Sequence, residues 1–271
     1  MTLDAATAAN LDATLGDPEE SDCRIGLASA TDTGRRRQRN EDSVVALRRE
    51  GSDDVLVLVA DGMGGHLGGA EASQLAATLL SERFVEGRLQ TKEDLSSSIL
   101  ECDRVIKDAH LGGGTTIVAS VIAHDSLLVA HVGDSRAYML RGGCLLQLTR
   151  DHSWVQEQVD AGAIPEEEAS SHPRRNVLVK AVGTGRREEP DLRHVRFLDG
   201  DVLLECSDGL HGVVDGGTIA AVLDTVDGSE ESLCHAGRRL VELALEAGGP
   251  DNVTVALAAR LTCDPKSGRY K

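Results

Sequence analysis

The stretch Val55–Gly69, VLVLVADGMGGHLGG, decides how the rest of the chain is read. It opens with an unbroken apolar run, Val55–Ala60, whose length and β-branched content suit a strand buried on both faces. The run stops at Asp61-Gly62, a glycine-rich turn carrying His66 follows, and the pattern becomes helical from Ala70. Related endings recur at Asp134 in LLVAHVGDSR and at Asp208 in VLLECSDGL, and Asp251 in GGPDN stands just before the run Val253–Leu257. An Asp-Gly pair after a strand is by itself a common turn. Acidic residues at the ends of several apolar runs are another matter, because carboxylates gathered at one end of a core repel unless a cation neutralises them. Hard divalent cations take such oxygen ligands, and Gly62 would let its carbonyl approach one without side-chain obstruction. With no His/Cys cluster in the sequence, Mg²⁺ or Mn²⁺ is favoured over Zn²⁺.

Outward from this stretch, strands are expected at Arg24–Ala30, Ser43–Arg49, Thr115–Ala123, Ser126–Val132, Ala137–Arg141, Cys144–Leu148, Asn176–Val182, Arg193–Leu198, Val202–Cys206 and Asn252–Leu261. Gly142-Gly143 is a strong two-residue hairpin signal. Helices are expected at Ala70–Val85, Leu95–His110, Thr218–Val226 and Glu230–Ala247, the last stopped by Gly248-Gly249-Pro250. Strands that come in hairpins, with helices in pairs between them, argue for an α+β layered domain. The polar, helix-prone section from Asp151 interrupts the strand series and reads as a flap, about 151–180. Residues 1–22 are acidic and aperiodic and read as a flexible tail. Residues 23–263 form the domain, and 264–271 a short C-terminal tail.

A net charge of −17 over 271 residues makes nucleic acid or an anionic membrane surface an unsuitable main partner. It would also repel an anionic substrate, unless bound cations reverse the field locally. The six cysteines have no close spacing, and the N-terminus has neither a basic region nor an apolar core of a signal peptide. A reduced, cytoplasmic, monomeric protein is expected.

Other motifs carry less. GMGGHLGG and LGGGTT fit neither GxxxxGK[ST] nor GxGxxG, and Ser135, Ser153 and Ser207 lack a GxSxG elbow. The basic run Arg35-Arg36-Arg37 before Asn40-Glu41-Asp42 is either a solvated loop or the source of an arginine that forks onto a phosphate. His66 is a loop residue, a ligand or a proton donor. Arg136 is expected to make a structural ion pair.

Taken together, RxxNEDS (Arg37–Ser43), ADGMGGH (Ala60–His66), GGTT (Gly113–Thr116), VGDSRAY (Val132–Tyr138), LTRDHS (Leu148–Ser153), SDGL (Ser207–Leu210) and DNVTV (Asp251–Val255) resemble, in order, the motif series of the PPM, or phosphatase 2C-like, metal-dependent serine/threonine protein phosphatases of bacterial type. The resemblance spans about Arg24 to Leu261. It implies a four-layer α-β-β-α sandwich of two antiparallel sheets with a Mn²⁺/Mg²⁺ centre of two ions, or three, at one edge. Asp61 then resembles the bridging ligand and the Gly62 carbonyl a ligand of the second ion. Asp208 and Asp251 complete the first ion, and Asp134, helped by Asp208, resembles the site of a third. Glu41 and Asp42 resemble the groups that hold metal-bound waters, Arg37 the phosphate-gripping arginine, and His66 the proposed general acid.

The implied reaction is hydrolysis of phosphoserine or phosphothreonine by direct attack of a metal-bridging hydroxide, without a phosphoenzyme. The implied partner is a phosphorylated protein, a target of a serine/threonine kinase or the kinase itself. Alternatives of the same fold are a phosphatase of an anti-sigma-factor antagonist and a non-catalytic phosphoprotein-binding pseudophosphatase.

Overall fold

The apolar run that opens at Val55 is buried on both sides because a sheet core lies on one face and helices on the other. In the strand β3 (Val55–Met63), Val55, Val57 and Val59 enter the core between two sheets, while Leu56, Leu58 and Ala60 pack against helices. The period of two along a strand sorts them this way, and a strand apolar on both faces leaves no polar alternation to read. The structure, a computed structural model, describes residues 25–64, 68–169, 171–185 and 189–260. The two tails and His66 lie outside them.

One sheet has the order β1 (Ile25–Asp32), β11 (Val253–Arg260), β10 (Val202–Cys206), β7 (Arg136–Arg141), β8 (Cys144–Gln147). The other runs β2 (Asp42–Arg48), β3, β5 (Ile117–Ala123), β6 (Ser126–Val132), β9 (Asp191–Arg196), with the short β4 (Gly114–Thr115) on the far end of β3. Every pairing is antiparallel. Helices α1 (Gly68–Val85) and α2 (Lys92–Asp108) cover the second sheet. Helices α6 (Gly216–Leu223) and α7 (Glu230–Glu246) cover the first. This is the α-β-β-α sandwich the motif series implied.

Local chemistry sets the ends. Thr91 caps α2 in a reciprocal capping box with Asp94, and Ser229 caps α7. Gly142 and Gly143 take φ of +57° and +76°, the left-handed pair that a tight hairpin between β7 and β8 demands. The flap begins with α3 (Trp154–Asp160), capped by Ser153, and continues through α4 (Glu166–Ala169).

Two expectations need correction, and one element goes beyond them. Asn176–Val182 is not a strand: among the described residues it touches strand-like partners only at Ser153↔Leu178 and Thr115↔Val182. It forms the return limb of the flap, with Val177 exposed and Val182 buried, and single bridges do not build a ladder. β3 does not stop at Ala60, because Gly62 and Met63 remain paired, to Thr115 and Gly114. A short helix, α5 (Asp208–His211), follows β10 and gives no signal of its own in so few residues.

One polar contact crosses the apolar space between the sheets. The Ser120 hydroxyl on β5 donates to Glu205 Oε1 on β10 at 2.5 Å, while Glu205 Oε2 is buried without a partner. Burial pushes this carboxyl well above its ordinary range. An acid whose folded pKa is raised stabilises the fold fully below its unfolded pKa and loses that contribution as pH rises. Glu205→Gln keeps an acceptor for Ser120 and cannot ionise. Its stability relative to the parent should therefore climb between pH 5 and pH 8, by up to about 1.4 kcal/mol per pH unit. Urea unfolding at both pH values checks this, and a difference independent of pH would refute it.

Candidate metal centre

The register of β2 against β3 sets Asp42 directly opposite Asp61. Like charges facing each other across a ladder destabilise it, so the arrangement needs a reason. The other aspartates come to the same place by separate routes. Asp134 follows Gly133 in the turn after β6, Asp208 opens α5 at the end of β10, and Asp251 lies in the turn before β11. Asp61 feels the charges of Asp42, Asp208, Asp134 and Asp251 together. The expected ligand set is thus brought together at one end of the sandwich.

The electrostatics follow from that crowding. Burial, and then its acidic neighbours, pushes Asp61 well above the usual carboxylate range. Asp42 is pushed up to about 6, chiefly by burial. Asp134 rises to about 7 through burial and the charge of Asp151, and Asp208 to about 8 through burial and the charges of Asp134 and Asp251. Among the described residues, both carboxylate oxygens of Asp42 are buried without a hydrogen bond of ordinary geometry, although the nearby Thr254 and Ser207 side chains offset part of the rise in its pKa. Buried oxygens left without donors, in a set of mutually repelling carboxylates, fit a site completed by divalent cations and their waters.

Neutral side chains hold this set in place. Asp61 N–H donates to Thr116 Oγ1 at 3.0 Å, Asp61 O accepts from Thr116 N at 2.9 Å and Thr115 Oγ1 at 3.0 Å, and Thr116 Oγ1 bonds Ser135 Oγ at 2.7 Å. Thr116 therefore ties the Asp61 turn to the residue after Asp134. Asn252 accepts from Glu41 N at 2.9 Å and donates to Thr33 O and Arg39 O at 2.9 and 2.8 Å, fixing the loop that carries Arg37 and Glu41. Ser207 and Thr254 bond each other through main chain and hydroxyl, locking the Asp208 turn to β11. GGTT, SDGL and DNVTV contain these residues, yet the sequence reading assigned roles only to acids, Arg37, His66 and the Gly62 carbonyl. Uncharged braces leave no charge pattern to notice.

Two glycines are required by space. A Cβ on Gly62 would stand 2.3 Å from Gly69 O and 2.5 Å from Glu41 O, and one on Gly209 would stand 1.9 Å from Asn252 O. The Gly62 position thus lets β3, the loop before β2 and the start of α1 converge. Glu41 sits in that junction, its carboxylate reaching the Gly69 backbone.

Arg37 is half exposed and donates to Asp251 Oδ2 at 2.7 Å, which raises its pKa further. It lines a cavity of about 1260 Å³ together with Asp134, Asp208 and Asp251. Arg136 does make the expected structural pair, donating from Nε and Nη2 to both oxygens of Asp151 at 2.8 and 2.7 Å. Burial alone would raise Asp151, but that fork outweighs it and holds the carboxyl below its ordinary value. His211, which the sequence reading passed over, donates from Nε2 to Asp134 O at 3.0 Å, and burial lowers its pKa to about 3.

A further group, His131, His152 and Asp191, has possible ligand atoms within 4.8 Å of one another. The hydrogen bonds argue against a metal there. His152 Nδ1 accepts from Gly133 N–H at 3.1 Å, so in the neutral ring Nε2 carries the proton and faces Asp191 Oδ1 at 3.3 Å. Burial lowers His152 to about 4 and lowers the stacked His131 as well, so both rings are neutral near pH 7. Lys180 reaches the same Asp191 oxygen at 3.4 Å, so the two ends of the flap are fastened at one point.

The protein phosphatase 2C family model matches residues 28–158. The serine/threonine phosphatase stp of Listeria monocytogenes serotype 4b (strain F2365) is 39% identical over 241 residues, covering 85% of this chain and 94% of that one. The structure of the S. agalactiae serine/threonine phosphatase matches with a TM-score of 0.79 at 36% identity, over 87% of this chain and 99% of that one. The catalytic domain of the serine/threonine protein phosphatase PstP, in complex with 2 manganese ions, matches with a TM-score of 0.75 at 36% identity, over 88% and 98%.

The raised carboxyls have a measurable consequence. Their folded pKa values exceed an unfolded value of about 3.9, so in EDTA the stability these groups contribute is greatest at low pH and is lost as pH rises from about 4 towards 8. A divalent cation binds the deprotonated groups and offsets this. The rise in Tm on adding Mn²⁺ should therefore be small at pH 5.5 and several degrees larger at pH 8. Scanning calorimetry reads it directly, and a cation effect that shrinks with pH would contradict the site.

Proposed function

The chain belongs to the protein phosphatase 2C family of metal-dependent protein serine/threonine phosphatases, and we propose that it uses the Asp61 centre to dephosphorylate proteins modified by a bacterial serine/threonine kinase. The observation that carries this reading is the convergence of Asp42, Asp61, Asp134, Asp208 and Asp251, with both Asp42 oxygens buried and unpartnered. Every expected metal aspartate is present, so nothing favours a non-catalytic role.

Asp61, the Gly62 carbonyl, Asp208 and Asp251 would hold two ions, and Asp134 with Asp208 a third. When bound, Mn²⁺ or Mg²⁺ supplies an acidified water as nucleophile and positive charge against the phosphoryl oxygens. Asp42 and Glu41 orient water at the centre, as the unpartnered Asp42 oxygens suggest. Arg37 grips the phosphate through its planar fork, from the wall of the cavity it shares with Asp251. The proton for the departing seryl or threonyl oxygen is assigned to His66, which lies outside the described residues.

Hydrolysis of a phosphothreonine peptide should require Mn²⁺ or Mg²⁺, stop in EDTA and fall at least about a thousandfold in Asp61→Asn, as loss of charge stabilisation at a reacting centre does. Turnover that survives EDTA would overturn the reading. Arg37→Ala should raise KM by about ten- to a hundredfold, the worth of a charge-assisted hydrogen bond. Because it removes only a counter-cation of Asp251, Mn²⁺ affinity by calorimetry should not weaken. Loss of metal together with KM would place Arg37 in the wrong role.

A further inference from the structure

The cavity at the Asp61 centre is larger than a phosphate group requires. At about 1260 Å³ its lining runs from Arg37 and Asp208 past the flap to Leu148, just after β8, and Arg193 on β9; β8 and β9 are the edge strands of their respective sheets.

Most cations along this cavity already have carboxylate partners: Arg37 has Asp251, Arg136 has Asp151, and Arg150 has Asp160. Arg193 has none among the described residues. It is exposed on β9, and its only side-chain hydrogen bond among them is a long one, 3.4 Å, from Nη1 to the main-chain Leu148 O. Arg175, on the return limb of the flap, also lines the cavity and has no carboxylate partner among the described residues. Besides Asp134, Asp151, Asp208 and Asp251, the acids lining the cavity are Glu166, with no ion pair among the described residues, and Asp191, which Lys180 reaches and His152 faces. In a chain of net charge −17, Arg193 and Arg175 thus bring positive charge to the cavity that no carboxylate among the described residues has already met.

We propose that the Arg193 end of this cavity is a second anion subsite, which takes an acidic side chain of the phosphoprotein near its phosphorylated residue. The proposal rests on the phosphatase reading above and assigns it a substrate preference. A guanidinium with free N–H donors forks onto a carboxylate. It also gives an acidic substrate a local attraction that the overall negative field of the protein otherwise denies it. Arg193 is a specificity residue and takes no part in the chemistry at Asp61.

The test uses the full chain with Mn²⁺ and a set of phosphothreonine peptides. A single Glu is moved through the positions on either side of the phosphoresidue, with Gln and Lys versions for comparison and a version carrying a second phosphoserine. At one or more positions, Glu should raise kcat/KM about fivefold over Gln, the scale of a partly exposed ion pair, and Lys should lower it. Arg193→Gln should remove the preference, Arg193→Lys should keep part of it, and Arg193→Glu should invert it towards Lys. Hydrolysis of p-nitrophenyl phosphate, too small to span the cavity, should change less than about twofold in all three. A second phosphoserine favoured where Glu is not would replace the carboxylate with a phosphate and overturn the proposal as stated. So would a Glu preference unchanged in Arg193→Gln, or no position that prefers Glu while p-nitrophenyl phosphate is still turned over. If the unsubstituted chain fails to hydrolyse p-nitrophenyl phosphate with Mn²⁺, the phosphatase reading falls and takes this one with it.

Discussion

The repulsion among Asp42, Asp61, Asp134, Asp208 and Asp251 at one buried end of the sandwich is the constraint on which the other features depend. A fold selected for stability alone would not set Asp42 opposite Asp61 across a ladder, nor leave both Asp42 oxygens without donors. The surrounding structure must hold the arrangement against its own tendency to open. It does so with neutral groups that do not cancel the charge: Thr116 on Asp61, Asn252 on the Arg37 loop, Ser207 with Thr254 behind Asp208. Cationic braces would have satisfied the carboxylates and closed the site to a metal. Among the described residues, only Arg37 touches one of them with full charge, and it is half exposed.

The division of labour between charges extends outward. Arg136 and Asp151 form a bidentate pair one step from Asp134, and Tyr138 also receives a hydrogen bond from Arg136 at 2.9 Å. This pair is self-satisfied, so it anchors the start of the flap without drawing on the clustered aspartates. His152 does the same with neutral chemistry, tying Gly133 on one side and facing Asp191 on the other. The flap is therefore fastened at its root by residues adjacent in sequence to the centre, while Val177 on its return limb is 46% exposed. A segment anchored at its ends and open along its length is suited to meeting a protein substrate.

Much of this was legible in the sequence, for identifiable reasons. β3 was readable because both its faces are apolar, and the β7–β8 hairpin because Gly142-Gly143 leaves few alternatives. The aspartates were readable because each interrupts or adjoins an apolar run where charge is conspicuous. Asn176–Val182 reads as a strand because it is short, apolar and rich in valine, and whether a strand forms depends on a neighbour that sequence does not display. The extension of β3 through Met63 depended likewise on Gly114 and Thr115, which arrive from beyond two helices.

What could not be read was which charge meets which: even Arg136, expected to pair, gave no sign that its partner is Asp151. Arg37 and Asp251 are 214 positions apart, yet their bond decides that this arginine stands on the wall of the cavity. Arg193 lacks any such partner among the described residues, although its sequence neighbourhood, DLRHVRF, also carries an acid. A charge counted in a sequence carries the same weight wherever it occurs. In the folded chain its meaning depends on whether an opposite charge has already met it, so a protein with 45 acidic residues can still present an uncommitted cation to an acidic ligand. That distinction separates arginines that hold the fold from those left to recognise something outside it.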